Sequence, residues 1–571
     1  MREIATSTSA KKPSGAAFYI DSCPFAVGHP FDCSRLALPE NRIGDWPMVY
    51  ILSGDGRAYV GQTTSIYRRM RQHAENPERR CFDTATVIYN DEFNASVITD
   101  YEHRLISLMS SDGRYQLTNR NEGMTSSSYF SKSEYEGMFR DLWENLRHED
   151  ERHIQLADHS LQEIEDSEVF KYSPYKELTE EQALALEEVL AAIERGLDDA
   201  EPIVVEGKPG TGKTVLATCL LKILRDDERY KNLNIRILEP VNSICSTMQK
   251  AVGSVVGLSS QDVIRAGDLI KPQYGYDPAK DKSFDILLVD ETHRLRKRQN
   301  LINYTSFDHV NEVLGLPYGS TELDWVLDQV RLPVLFYDPR QDVGPSCIGS
   351  EVMHERLEPS VMANPIQLKT QMRVKGGDVY LDYIQAILDV EHPEPRSFDG
   401  YELEFHDDFE DFYGSFEAKL KEHELTRMLS GWAWEWRTRP GSKKASEYTY
   451  DIEFDSRKLR WNSSTENWVP KGVADPEVAH EVGCIHCIQG YDLSYSYVII
   501  ADDIRLDPTT GKLEGNRDGY WDARGKNTTT QEELTEYIKK VYYVLLTRGI
   551  YGTHVYVCQP ELREYFREYF I

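Results

Sequence analysis

Eight residues, Gly207-Lys208-Pro209-Gly210-Thr211-Gly212-Lys213-Thr214, combine glycines, an ammonium and a hydroxyl at the spacing G-x-x-x-x-G-K-[ST]. Glycines let the backbone fold tightly enough for several N–H groups to converge on one anion. The lysine then reaches the β- and γ-phosphates of a triphosphate, and the hydroxyl holds Mg²⁺. Gly207, Gly210, Thr211, Gly212, Lys213 and Thr214 are therefore the candidate ATP-binding residues. Downstream, the apolar run Asp285-Ile286-Leu287-Leu288-Val289 ends in Asp290-Glu291. Two acids at a strand end suit hydrolysis of Mg·ATP. Asp290 can hold the metal or its water, and Glu291 can orient and deprotonate the attacking water.

A different chemistry is written near the N-terminus. Val49-Tyr50-Ile51 and Tyr59-Val60-Gly61 flank a Gly54-Asp55-Gly56 turn, and Ser65 to His73 follows with helical spacing. Arg69 stands ten residues after Tyr59, and His73 four after Arg69, so the last two share a helix face. Thr99 to Ile106 reads as a helix that offers Glu102. Leu117-Thr118-Asn119-Arg120-Asn121 offers two amides. A phenol, a guanidinium, an imidazole and one carboxylate are parts suited to phosphodiester chemistry. The pattern resembles that of the GIY-YIG nucleases, and the resemblance implies that one Mg²⁺ (or Mn²⁺) on Glu102 would stabilise the leaving oxygen, Tyr50 or Tyr59 would help activate water, and Arg69 would neutralise a phosphate oxygen. Arg68, Arg69, Arg71, Arg79 and Arg80 form the most basic local patch, as a phosphate backbone requires.

These groups need positioning elements. From Leu178 to about Gly349, apolar strand-like runs (Ile203–Val205, Ile235–Leu238, Ile286–Val289, Val334–Tyr337) alternate with helical ones. That alternation predicts a mostly parallel sheet with helices on both faces. A second such set has Tyr497–Ile500 and His554–Val557 as its clearest strands. The expected organisation is an N-terminal extension over 1–43, a small α+β module over 44–125 and a helical linker over 126–177. A first α/β domain over 178–355 and a second over 356–571 follow, the second with an acidic, Trp-rich insertion at about 398–470. That insertion holds Trp432, Trp434, Trp436, Trp461 and Trp468, which are expected to pack as core. Cys484 and Cys487 form a lone C-x-x-C pair, too few ligands for a zinc site.

Composition bounds the rest. A chain of 571 residues exceeds one core. No run of 18 apolar residues occurs, so no membrane helix is expected. Met1 to Ala16 lacks the apolar region of a secretory signal. Nine cysteines without a framework suit a reducing cytosol, so a cytoplasmic location is expected. The net charge of −30 argues against a surface coated in basic residues.

Further segments carry a resemblance. Val334-Leu335-Phe336-Tyr337-Asp338-Pro339-Arg340-Gln341 resembles the third motif of superfamily 1 helicases, with Tyr337 in place of the usual Gly and Gln341 as the implied γ-phosphate sensor. Leu178-Thr179-Glu180-Glu181-Gln182 resembles the adenine-reading segment, which implicates Gln182. Leu238-Glu239-Pro240-Val241-Asn242 resembles the segment that touches the nucleic-acid strand. Leu368 to Arg373 resembles the fourth motif, and His486-Cys487-Ile488-Gln489-Gly490-Tyr491-Asp492 the fifth, which places Gly490 at the nucleotide. Tyr542 to Gly549 resembles the sixth motif, whose arginine finger would be Arg548. Over 178–571 the set is most similar to the Schlafen-type DNA/RNA helicases. That resemblance implies an α/β fold with two RecA-like parallel-sheet domains closing on ATP, the second supplying Arg373 and Arg548. The N-terminal pattern resembles the GIY-YIG nucleases, although Met48-Val49-Tyr50 lacks the first Gly. It implies Tyr50, Tyr59, Arg69, His73, Glu102 and Asn119 as site residues. The combined expectation is an ATP- and Mg²⁺-dependent helicase or translocase fused to an endonuclease. It would act on nucleic acid, DNA first, with no membrane partner, and defence against foreign DNA is suggested by the domain pairing. A homo-oligomer or a defence-system partner protein is left open. Two other readings also stay open: a regulatory ATPase that senses nucleic acid through a non-cleaving module, and an RNA-directed enzyme.

Overall fold

The computed structural model describes residues 18–32, 36, 45–120, 132–149, 154–165, 167–198, 200–341, 344–439, 448–454, 456–462, 468–488 and 491–570. The chain divides into two compact units. One comprises Met1–Leu186, Thr218–Asn232 and Thr247–Asp262, and the other Glu187–Ala217, Leu233–Ser246 and Val263–Ile571.

The first unit is built on a five-stranded sheet in the order Tyr19–Pro24, Thr84–Tyr89, Met48–Gly54, Arg57–Thr63, Gln116–Leu117. Its centre is the hairpin Met48–Gly54/Arg57–Thr63, which pairs Tyr50 with Gly61 and Leu52 with Tyr59. Asp55 and Gly56 both take positive φ (48° and 69°), as a tight two-residue hairpin turn demands. The strand Tyr19–Pro24 pairs antiparallel with Thr84–Tyr89, so the expected extension 1–43 supplies an edge strand of this sheet. The helix Ala95–Asp112 is capped by Asn94 and buries Val97, Tyr101 and Leu105, one per turn, against the sheet.

The expected linker is corrected by what it buries. Helix Lys132–Arg147 puts Phe139, Leu142, Trp143 and Leu146 into the same apolar cluster as Tyr101 and Leu105, and Leu156, Ala157 and Ile164 join them. The polar appearance of this stretch came from its outer face. Its inner face belongs to the core.

The second unit contains two parallel sheets. The first has the order Ile366–Leu368, Ile203–Gly207, Val330–Tyr337, Phe284–Val289, Ile235–Leu238, Val263–Ile264. Strands such as Phe284-Asp285-Ile286-Leu287-Leu288-Val289 are nearly continuous apolar runs because helices cover both faces. The second sheet has the order Glu402–His406, Gly549–Val557, Leu493–Ile500, Arg427–Ser430, Val482–Gly483, also parallel throughout.

Two expectations change here. Ile366–Leu368 pairs in parallel with the strand that leads into the Gly207–Thr214 loop. The first sheet therefore continues past the expected 355/356 boundary. The stretch 398–470 is not an insertion outside the sheet, because Glu402–His406 and Arg427–Ser430 are two of the second sheet's five strands. The edge strand Glu402-Leu403-Glu404-Phe405-His406 is half-exposed. Trp461 and Trp468 are buried. Trp432 meets Trp461 edge-on at 4.8 Å, and Trp432, Trp434 and Trp436 pack partly buried against the same core, as expected.

Candidate nucleotide site and N-terminal polar cluster

Parallel sheets present their functional residues at the carboxyl ends of their strands. In the first sheet, four neighbouring strands end directly in Gly207, Glu239, Asp290 and Asp338. The loop after Gly207 turns into helix Lys213–Asp226, whose N-terminus supplies converging N–H groups. Gly210 takes φ +79°, and a Cβ on it would lie 2.5 Å from Arg373 Cβ. Only glycine serves at that position. Lys213 Nζ donates to Gly207 O at 2.6 Å and Lys208 O at 3.1 Å, and lies 3.7 Å from Asp338 Oδ2. Thr211 Oγ1 donates to Lys208 O at 3.0 Å and braces the loop.

Thr214 Oγ1 donates to Asp290 Oδ2 at 2.6 Å, so the two expected metal-side groups meet. Burial, then the neighbouring Glu291 charge, pushes the Asp290 carboxyl up to about 6. Burial also acts to raise Glu291, but His293, whose Nε2 lies 2.7 Å from Glu291 Oε2, together with Lys213 and Arg294 outweighs it. The Glu291 carboxyl is held below its usual range. Glu291 adopts a left-handed backbone (φ 46°), a strained geometry of the kind that concentrates at functional sites. Gln341 donates to Asp338 Oδ2 at 2.6 Å, which places it beside Lys213.

His293 and Glu239 are the residues whose roles the sequence hides. Glu239 is fully buried. Its Oε1 accepts from Val241 N at 2.8 Å, while Oε2 has no hydrogen-bond partner. Burial, then Asp290 and Glu291, holds its carboxyl well above the usual range. Tyr337 is buried, with its ring 6.3 Å from that of His293, which accounts for a large residue where the resembled motif has glycine.

Arg373 arrives from an unexpected side. It follows strand Ile366–Leu368 of the first sheet rather than the second, and Met372 N donates to Gly210 O at 3.0 Å. Its Nε lies 2.5 Å from Asp492 Oδ1. Asp492 and Arg548 come from the second sheet, immediately before its paired strands Leu493–Ile500 and Gly549–Val557. Arg548 is 4% exposed, donates Nη2 to Ile488 O at 3.0 Å and leaves Nε without a partner. Burial, then Arg373, lowers its guanidinium to about 9. Two guanidiniums close enough to act on each other face a single carboxylate, Asp492, which contacts Arg373 beside a glycine-rich loop. That surplus of buried positive charge fits a polyphosphate. Gly490 lies outside the described residues. Gln182 belongs to the first unit, where its Oε1 accepts from Thr179 N at 3.0 Å. Cys484 and Cys487 have their sulfurs 3.7 Å apart, both against Asn462 Oδ1.

A family model for the "Schlafen group 3, DNA/RNA helicase domain" matches residues 201–559, well over half of the chain. The chain belongs to this family. The Schlafen-group domain thus covers both parallel sheets and every nucleotide-site residue named above except Gln182. It is a helicase-type ATPase domain that works on nucleic acid. The uncharacterized protein YPL245W of Saccharomyces cerevisiae is 25% identical over 395 residues, 63% of this chain and 82% of that protein. Two solved structures are also similar. Pif1 helicase from Candida albicans matches at 13% identity and TM-score 0.28, covering 69% of this chain and 99% of that one. Arterivirus nonstructural protein 10 (helicase) matches at 14% identity and TM-score 0.27, covering 66% of this chain and 64% of that one. Among the described residues, no helix is long and apolar enough to cross a membrane.

The part of the first unit that precedes the Schlafen-group match holds a second polar cluster. Arg69 Nε donates to Tyr50 Oη at 2.9 Å, and Tyr50 Oη lies 2.7 Å from His73 Nε2. The hydroxyl accepts from Arg69, and which of Tyr50 Oη and His73 Nε2 donates to the other is set by the His73 tautomer. Burial, then Arg69 and Arg79, lowers the His73 imidazole to about 3, so this ring is neutral. Burial, then Tyr59, pushes the Tyr50 phenol well up against the opposing pull of Arg69. A Cβ on Gly61 would lie 2.3 Å from Tyr50 Oη, so the glycine of Tyr59-Val60-Gly61 makes room for the facing phenol. Tyr59 carries Arg79 over its ring at 3.7 Å. Asn119 spends its amide on Val60, accepting from N at 3.1 Å and donating to O at 2.8 Å. Glu102 sits half-buried on helix Ala95–Asp112, close enough to bear electrostatically on Tyr50. Asn121 lies outside the described residues.

Proposed function

We propose that this chain is an ATP-driven translocase or helicase fused to a GIY-YIG-type, Mg²⁺-dependent endonuclease that acts on DNA in the cytoplasm. In this reading the two parallel-sheet halves of the second unit are RecA-like and enclose ATP. Asp290 and Thr214 hold Mg²⁺, which would draw charge off the phosphates. Lys213 and the loop amides bind the triphosphate, and Glu291, kept ionised by His293, accepts the proton of the attacking water. Arg373 and Arg548 neutralise charge on the transferring group. Gln341 senses the γ-phosphate.

The nuclease assignment is carried by one observation: Tyr50 Oη is held between the Arg69 guanidinium and a neutral His73. That arrangement lets His73 take the Tyr50 proton as Tyr50 takes one from water. Arg69 steadies the phenolate and then the phosphate. Glu102 is the single carboxylate that would hold the divalent ion, and Tyr59 with Arg79 forms the adjoining wall. Asn119 positions the Tyr59 strand by pinning Val60. A tethered motor raises the effective concentration of nuclease on its strand, and a role in defence against foreign DNA follows from that pairing alone.

A specific observation favours a second reading. Tyr50 is 0% exposed, which suits a module that binds without cutting. The test incubates labelled plasmid with Mg²⁺ and ATP and compares wild type, Glu102→Ala and Lys213→Ala. Cleavage lost in Glu102→Ala supports the nuclease. No cleavage by the wild type with any metal or nucleotide rejects it in favour of a sensing ATPase. ATPase stimulation by DNA against RNA decides the substrate.

A further inference from the structure

On the outer edge of the second sheet, Glu404 and His406 point to one face of strand Glu402–His406, and His554 meets them from the adjacent parallel strand, with Glu404 in register with His554. His406 Nε2 and His554 Nδ1 are 3.0 Å apart. Glu404 Oε2 lies 3.5 Å from His554 Nδ1 and 4.0 Å from His406 Nε2. Ligand atoms on a tetrahedral ion with bonds of about 2.0–2.2 Å sit about 3.3–3.6 Å apart, so the three already have the spacing of one metal-binding face. Among the described residues this is the one cluster of three such groups whose ligand atoms converge. We propose that Glu404, His406 and His554 form a Zn²⁺ site, with the remaining position open to water.

The surroundings are those of a built site. His554 is 0% exposed and stacked on Tyr497 at 4.3 Å and 9°, so its ring cannot swing. Its second nitrogen, Nε2, has no aligned hydrogen-bond partner but faces Glu402 Oε1 at 3.4 Å. Lys419 holds the other Glu402 oxygen at 2.6 Å. A carboxylate behind a ligating imidazole fixes the tautomer that leaves the opposite nitrogen free for metal. Glu404 is half-exposed, which gives the ion a path from solvent. Two imidazoles and a carboxylate suit a borderline ion such as Zn²⁺ better than Mg²⁺ or Ca²⁺. The ion would clamp the edge strand to Gly549–Val557, the strand that Arg548 precedes.

The test uses the full chain, stripped with chelator and titrated with Co²⁺ without nucleotide. One equivalent should develop the visible band of tetrahedral Co²⁺, be displaced by Zn²⁺, and raise the melting temperature. His406→Ala should lose all three effects, and it avoids the fully buried His554. Glu402→Gln should bind about 10–100-fold more weakly. Cys487→Ser should keep the band, since the Cys484/Cys487 pair plays no part. An absent band, a band unchanged in His406→Ala, or one lost in Cys487→Ser overturns the assignment.

Discussion

At the residue scale, the charges in both polar clusters are set by burial and one chosen partner. Asp503 shows the same physics where it can be measured cleanly. Burial lifts its carboxyl to about 7, against the pull of Tyr542 Oη, which donates to Oδ1 at 2.6 Å. In the unfolded chain the group titrates near about 4. Between these values the folded state holds the extra proton, so stability falls as pH rises through the window. Asp503→Asn removes that slope. Its melting temperature should gain on the wild type by several degrees between about pH 5 and about pH 8, and parallel curves would refute the coupling. Gly61→Ala drives a methyl into Tyr50. Overpacking of this kind costs about 1–3 kcal/mol, and under the nuclease reading cleavage should vanish while ATPase persists. A variant that still cuts would detach Tyr50 from the chemistry.

At the scale of elements, most strands that position the nucleotide site were legible, because parallel strands buried on both faces are written as unbroken apolar runs. Ile235–Leu238 matches its expected bounds, and Val330–Tyr337 extends the expected run by four residues. Ile366–Leu368 was not legible. It is three residues long, it is an edge strand, and its partner strand lies some 160 residues earlier, so nothing local marks it. Arg373 accordingly follows the first sheet, where its motif alone would put it in the second. His293 escaped for a related reason: its value comes from the 2.7 Å approach to Glu291 around a left-handed turn. The helix Lys132–Arg147 reads from its sequence as a spacer, because four core residues in about two turns are easily masked by charge. Trp143 is the test. It is fully buried and donates Nε1 to His159 O at 3.0 Å. Trp143→Ala should cost about 3–5 kcal/mol in the denaturant unfolding of the first unit, and a loss under about 1 kcal/mol would restore the spacer.

At the scale of the whole molecule, a net charge of −30 makes general attraction to nucleic acid unfavourable, so phosphate contact must be local. Arg68 and Arg80 are exposed and adjacent in sequence to Arg69 and Arg79 of the Tyr50 cluster. If both meet phosphates, the slope of log affinity against log salt should become shallower by about 1.8 in the double alanine variant, at about 0.9 per phosphate. An unchanged slope would move the contact elsewhere. The left-handed backbone at Glu291 bears on how this protein can be engineered. A side chain there costs on the order of 1 kcal/mol that glycine would not. Glu291→Gly should therefore melt higher and hydrolyse no ATP. A library sorted for heat resistance alone would enrich dead motors at this position, so any selection for a sturdier variant has to count turnover together with survival.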